Sequence, residues 1–402
     1  MQGSEPQLAA PPPAPVLLAG RSIETAHGPA DEPRQALEAL ARKAGGGRYS
    51  LVVLFISPGA SPDAAAGAAA EVFPGVAVVG CTTAGEISSD GYTENELVAL
   101  GFRACRFEVR TTLIEGLRTL GSRNVAERAV RMRAELAGAR PEWTSEFAFL
   151  LIDGLSRRED QLVAALRLGL GGVPLFGGSA GDGLDFHRTL VLAEGRLHSD
   201  AAVLTLIRST CPVRVFKIDH LIPSGVRMVV TEADPERRLV REINAAPAAR
   251  EYARLVGKDP DQLSPFTFAS HPVVVRVGGH HHVRAIQKVE ENGDLRFFSA
   301  IDEGLVLTLA EPGDIARHLE EALLDLCRDT VPETIIGCDC ILRRLEAEQM
   351  QSLRAMSALL SRHRVVGFST YGEQFNSMHV SQTLTGVAIY PPAAAFGKGK
   401  DS

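Results

Sequence analysis

A unit of strand, helix, strand, glycine turn and strand recurs three times along this chain, and a repeat of that length leaves few architectures open. Its fullest copy runs from His363 to Tyr390, HRVVGFSTYGEQFNSMHVSQTLTGVAIY. There an apolar run (Val365, Val366) meets the small-residue turn Gly367 to Glu373, a polar loop follows, and a second strand-like run spans Leu384 to Tyr390. Val76 to Phe102 has the same form around the turn GCTTAGE, Gly80 to Glu86. Val173 to Leu192 repeats it around GGSAGD, one residue shorter, with Asp182 where the others have Glu. Strand-like runs precede the turns at Leu51 to Ile56, Phe147 to Ile152 and Thr334 to Cys340. Helix-compatible segments follow those runs at Asp63 to Val72, Arg158 to Leu168 and Arg343 to Arg362. β-Branched and aromatic residues flanking glycines favour strand, turn, strand over helix at each turn.

The remaining segments are read around these copies. Residues 1–15 are rich in Pro and Ala and are expected to form a disordered tail. Val16 to Leu18 suggests a short strand. Asp31 to Ala44 predicts an amphipathic helix, with Pro33 near its start and Gly45, Gly46 and Gly47 at its end. Phe107 to Ile114 alternates as a strand, Asn124 to Ala137 has helical spacing, and Ala202 to Ile207 with Val213 to Ile222 completes a sheet. A strand and then a helix are expected from Met228 to Val256, ended by Gly257. Beyond them come a strand at His271 to Val277, an Asn-Gly hairpin turn at Glu291 to Asp294, a strand at Gly304 to Leu309 and a helix at Ile315 to Arg328. The pattern is α/β, a mixed α+β chain of two domains whose mixed sheets are covered by helices. The N-terminal domain is placed at 16–225, a connecting segment at 226–265, the C-terminal domain at 266–393 and a tail at 394–402.

A chain of 402 residues can hold two or three domains with full cores. Its 45% hydrophobic and 23% charged content is that of an ordinary soluble globular protein. A net charge of −7 argues against a general nucleic-acid binder. No apolar run approaches the roughly 18 residues a bilayer span needs. The start, MQGSEPQLAAPPPAP, lacks the charge and apolar core of a secretory leader. Six cysteines in this length suggest reduced thiols. These features predict a cytoplasmic protein with no nucleic-acid and no membrane partner.

The turns GCTTAGE and GGSAGD, the segment VRAIQKVEENGDLRFF, the block GFSTYGEQFNSMHVSQTLTGVAIY and GCDCILRRLE (Gly337 to Glu346) together resemble the FIST domain, over roughly residues 35 to 392. That family is a sensory module of bacterial signal transduction with FIST N and FIST C halves. The resemblance implies small-ligand binding, amino acids having been proposed for the family at large. Stand-alone members of this form are similar to a subgroup that binds haem, senses nitric oxide and controls a partner histidine kinase. No kinase, cyclase or methyl-accepting segment is recognisable, so output is expected to pass through a partner; homo-oligomerisation is left open.

Small residues between strands let a ligand approach the backbone. The ligand-binding candidates are therefore Thr82, Thr83, Glu86, Ser179, Asp182, Ser369, Thr370, Tyr371, Glu373 and Asn376, on turns that would converge on one cleft. The competing reading makes the turns tight corners whose polar groups close local hydrogen bonds. Haem needs an axial ligand, and no Cys-x-x-Cys-His offers covalent attachment. His379, in the polar loop of the strongest block, ranks first, with His187, His271 and His220 behind it. His280, His281 and His282 read as a hairpin surface, since neighbours on a strand face opposite ways. Cys338 and Cys340 face one side of a strand and could share a metal or form a redox pair, but a core strand is the preferred reading, since free cysteine is among the most often buried residues. Gly177-Gly178-Ser179-Ala180-Gly181 matches the nucleophile elbow of a serine hydrolase, but that motif requires a helix after the serine, where this sequence predicts glycines and a strand. The expectation is a non-enzymatic sensor in which haem takes up nitric oxide and a partner histidine kinase is modulated. A haem-free amino-acid sensor is the alternative, and a purely structural interaction module a third reading.

Overall fold

The computed structural model describes residues 21–277 and 280–392. The expected strand at Val16 to Leu18 and both tails lie outside them.

Each repeat builds the same nucleus. Tyr49–Ile56 pairs parallel with Ala77–Thr82, Ser145–Ile152 with Leu175–Ser179, and Thr334–Cys340 with Val365–Thr370. Helices Pro62–Val72 and Glu159–Leu170 provide the crossovers in the first two repeats. In the third, the single helix expected over Arg343 to Arg362 is two, Ile341–Gln349 and Leu353–Arg362. Gln351 between them takes a left-handed φ of +56°, which no helix interior tolerates. The returning strands Glu96–Arg103, Ala201–Ser209 and Leu384–Ile389 then pair antiparallel with the first strand of their own unit.

Between turn and return, each copy leaves its own sheet. Glu86–Ser88, after the first turn, pairs with Val365–Thr370 of the third repeat. Glu373–Phe375, after the third turn, pairs with Leu175–Ser179 of the second. Val191–Ala193, after the second turn, pairs with Ala77–Thr82 of the first. The three exchanges close a cycle. Three six-stranded sheets result, each completed by a hairpin from another repeat.

Because strand residues alternate faces, each sheet has an inner and an outer apolar set. The inner sets, including Phe55, Phe149, Cys338 and Phe368, form one core shared by all three repeats. Phe55 stacks on Phe368 with ring centroids 4.6 Å apart, joining the first repeat to the third. The outer sets are covered by helices: Pro33–Lys43 and Pro62–Val72 on the first sheet, Ser122–Ala139 and Glu159–Leu170 on the second, Ile315–Leu326 and Leu353–Arg362 on the third. Burial on both faces explains why the central strands are nearly all apolar.

The fourth sheet has eight strands and lies between the second and third repeats in sequence. The run expected as one strand over Val213 to Ile222 divides here. Val213–Ile218 joins the third sheet beside Leu384–Ile389, whereas Leu221–Asp234 belongs to the fourth. Residues 226–265, expected as a connection, hold most of strand Leu221–Asp234, strand Leu239–Ile243 and helix Ala248–Val256, and end where helix Pro265–Ser270 begins. The architecture is the expected mixed α/β one of helix-covered mixed sheets; within it the three repeats share one core, and the fourth sheet is inserted between the second and third of them. Body and insert meet through an apolar cluster that includes Ala84, Val274, Phe298, Leu345 and Tyr371.

The close approach at the turns sets a testable steric limit. A Cβ on Gly181 would lie 2.8 Å from both the Cβ and the amide nitrogen of Ala84 in the first turn. By contrast, Gly138, in helix Ser122–Ala139, has nothing within 4 Å of that position. Gly181→Ala is expected to destabilise by about 1–3 kcal/mol through overpacking. Gly138→Ala should stabilise by up to about 1 kcal/mol. Denaturant unfolding of the two variants checks this, and equal effects would contradict the packed junction.

Candidate functional site

The three turns converge, but on each other rather than around a cleft. Ala84 N donates to Ser369 O at 2.9 Å, and Ser369 N to Gly85 O at 2.7 Å. Gly181 N donates to Thr82 O at 3.0 Å, Ser179 N to Gly372 O at 2.8 Å, and Tyr371 N to Ser179 O at 3.2 Å. The strand exchange thus uses backbone donors that a ligand would need.

The side chains are engaged as well. The Thr83 hydroxyl donates to Glu86 and the Thr370 hydroxyl to Glu373. Thr82 Oγ1 accepts from Leu190 N at 3.1 Å, and Ser179 Oγ from Gln374 Nε2 at 3.0 Å. Asp182 accepts from the amides of Phe186, His187 and Arg188 and from the Tyr371 hydroxyl. Thr82, Thr83, Glu86, Ser179, Asp182, Ser369, Thr370, Tyr371 and Glu373 are all buried, and Ser369 Oγ has no partner. Asn376 is separate and exposed, accepting from Leu175 N at 3.3 Å. Ser179 ends a strand, and the next regular element is the strand Val191–Ala193, so the helix of a hydrolase elbow is missing.

Glu86 and Glu373 do corresponding work. Each carboxyl ties its turn to the start of the returning segment, Glu86 through Glu96 N at 3.3 Å and Glu373 through Thr383 N at 3.2 Å and Thr383 Oγ1 at 2.7 Å. Burial pushes Glu86 up to about 7 and Glu373 to about 8, in spite of these donors.

The four histidines stand in different places. His187 is exposed. His271 Nδ1 lies 3.2 Å from Thr267 O. Both ring nitrogens of buried His220 are used, Nε2 with Glu346 at 2.7 Å and Nδ1 with Arg343 Nη1 at 2.9 Å. Arg343 in turn meets Asp339 at 2.7 Å, forming a buried network within the GCDCILRRLE segment. His379 is 4% exposed and neither ring nitrogen has a partner. Its ring presses on Gly372, where a Cβ would collide with it. Burial keeps its pKa down, with Glu159, Asp160, Arg238 and Arg284 around it. Cys338 and Cys340 are buried free thiols. Among the described residues no group of three or more His, Cys, Asp or Glu is arranged to hold a metal ion.

Space for a ligand occurs instead at the seam between body and insert. A recess of about 660 Å³ is bounded on the body side by Lys217, Asp219, Met378, Val380, Ser381 and Thr383. The insert contributes Leu221, Pro223, Val274, His281, His282 and Val283. Its volume lies in the usual range for small-molecule sites, and its walls combine apolar side chains with a few polar groups. Val274 and Val283 are cross-strand partners, as are Arg276 and His281 next to them, which puts His281 on the recess face of the sheet. Met378 and Val380 flank His379 on a strand, so alternation turns His379 away from the recess they line. Lys217 pairs with Asp219 at 2.5 Å at this recess. The HHH motif is the signal for His281, which the sequence places on a hairpin surface because neighbours on a strand face opposite ways. Nothing local in the sequence marks Lys217, Val274 or Val283.

The raised carboxyl pKa has a measurable consequence. An acid whose folded pKa lies above its ordinary value of 4.5 favours the folded state fully below about pH 4.5 and loses that contribution as pH climbs to about 8. Glu373→Gln should therefore flatten the fall in stability between pH 5 and pH 8, by up to about 1.4 kcal/mol per pH unit. Unfolding at several pH values tests this, and parallel profiles for the two proteins would contradict it.

No helix among the described residues is long and apolar enough to cross a membrane. No curated protein matches the chain. Residues 50–246 match the FIST N domain and residues 248–376 the FIST C domain. With both halves present in order over most of its length, the chain belongs to the FIST family of signal-transduction sensor domains.

Proposed function

We propose that this protein is a ligand-responsive sensor whose small molecule occupies the recess between the three-repeat body and the inserted sheet. The observation that carries this reading is the recess itself, about 660 Å³ and lined from both sides of the seam. A ligand touching both sides changes the free energy of their packing, and a partner that distinguishes the two packings reads its presence.

Haem is the occupant that the donor set suits. A thioether at Met378 and an imidazole at His281 are axial-ligand types, set among Leu221, Val274, Val283 and Val380. Lys217 would meet a propionate. His379, with its ring turned from the recess, gives way to these two residues as candidate ligand. When bound, haem iron supplies the chemistry for nitric oxide sensing. The chain's own residues hold and orient the group, limit water at the apolar wall and couple the body to the insert. The output on this reading is modulation of a partner histidine kinase. The Lys217–Asp219 pair favours a second reading, in which a carboxylate and an ammonium of a free amino acid replace haem.

The absorption spectrum of protein produced with haem available, before and after reduction and nitric oxide, decides between them. The proposal expects a stoichiometric Soret band that shifts with nitric oxide. The band should be altered in Met378→Leu or His281→Ala and retained in His379→Ala. No stoichiometric haem would overturn the haem reading. A thermal shift with amino acids, lost in Lys217→Gln, would then establish the second.

A further inference from the structure

A second space at the same seam has a different chemistry. It is a cavity of about 120 Å³ that shares no lining residue with the recess. Four cationic side chains line it and no acidic one does: Arg157 from the body, and Arg238, Lys288 and Arg296 from the insert. Phe186 and Phe298 form apolar wall between them, with ring centroids 5.9 Å apart.

Three of the cations have carboxylates outside the cavity. Arg238 Nη2 lies 2.6 Å from Glu159 and 3.4 Å from Asp160. Glu290 serves both Arg296 and Lys288, the latter at 3.4 Å. Arg157 makes no hydrogen bond or ion pair among the described residues, although the field of Glu290 reaches it. Burial and then the charges of Arg296 and Arg238 lower its pKa. Its backbone is left-handed, φ +59°, a conformation uncommon for a non-glycine residue. Arg157 is exposed, so a guanidinium with no ion-pair partner among the described residues stands at the mouth of a cavity lined by three further cations.

We propose that this cavity is a binding site for a small oxyanion, a phosphate or a short carboxylate, bridging Arg157 of the body to Arg238, Lys288 and Arg296 of the insert. The chemistry follows from the lining. A guanidinium offers paired donors matching the oxygens of either group. An oxyanion offsets the mutual repulsion of cations gathered at one cavity. At about 30 Å³ per water the cavity holds roughly four waters' worth of volume, enough for phosphate or a short dicarboxylate. Because the cations come from both sides of the seam, the bound anion fastens body to insert, independently of what fills the recess.

The test is thermal unfolding of the full chain in sodium phosphate, sodium succinate and sodium chloride at matched pH and ionic strength. The proposal expects phosphate, succinate or both to raise the midpoint by roughly a few degrees beyond chloride, through preferential binding to the folded state. Arg157→Gln should abolish that difference, while Arg123→Gln, a highly exposed control on a distant helix, should keep it. A shift with phosphate alone assigns the site to phosphate, and with succinate alone to carboxylates. Equal midpoints in all three salts, or an undiminished shift in Arg157→Gln, would overturn the proposal. No recess residue is altered, so failure here leaves the sensor reading standing, and failure there leaves this one.

Discussion

Hydrogen bonding between the three glycine turns is the constraint on which the rest of the structure depends. Each turn passes the chain from one sheet into the next, and the three transfers close a cycle. The turns must approach so closely that side chains are excluded. A Cβ on Gly181 of the second turn would lie 2.8 Å from Ala84 N and 3.0 Å from the Thr83 carbonyl carbon of the first. The core inside the ring then belongs to all three repeats at once. Buried carboxyls at Glu86 and Glu373 join each excursion to its return.

With the turns closed on themselves, ligand space moves outward to the seam with the inserted sheet. Polar contacts cross that seam beside its apolar cluster. Arg238 reaches across it to Glu159, Ala300 N donates to Asp160 at 3.3 Å, and Gln382 Nε2 donates to Ala269 O at 2.9 Å. Several buried groups in this region, among them Ser299 Oγ, Ser381 Oγ and both nitrogens of His379, have no partner. Buried polar groups left unpaired cost on the order of 1–3 kcal/mol each, so their pairing weighs on how body and insert pack. A boundary of that kind suits a sensor, because a ligand's contacts can shift its packing.

The repeat was legible because each copy carries its own period-two runs and glycine turn. The helices over Pro33–Lys43 and Ser122–Ala139 and the Asn-Gly hairpin were legible for the same local reasons. The strand exchange was not. Glu86–Ser88 and Val191–Ala193 are three residues long, and nothing in three residues names a partner some 280 or 110 positions away. The division of Val213 to Ile222 between two sheets was hidden likewise, since both halves look like strand. At the site, the hydroxyls and carboxyls on the turns have the chemistry of ligand-binding groups, but the fold itself consumes their bonds. The cations at 157, 238, 288 and 296 lie in four separate segments, and only the tertiary fold gathers them.

Native-state hydrogen exchange tests the central claim, that cyclic strand exchange makes the three repeats one cooperative unit. Amides in the exchanged strands Glu86–Ser88, Val191–Ala193 and Glu373–Phe375 are the ones to follow as denaturant is added. The account predicts that all three merge into a single opening with the free energy of global unfolding. If one repeat's amides exchanged through a separate, lower-energy opening while the other two stayed protected, the ring would not be the unit of stability and the account would be contradicted.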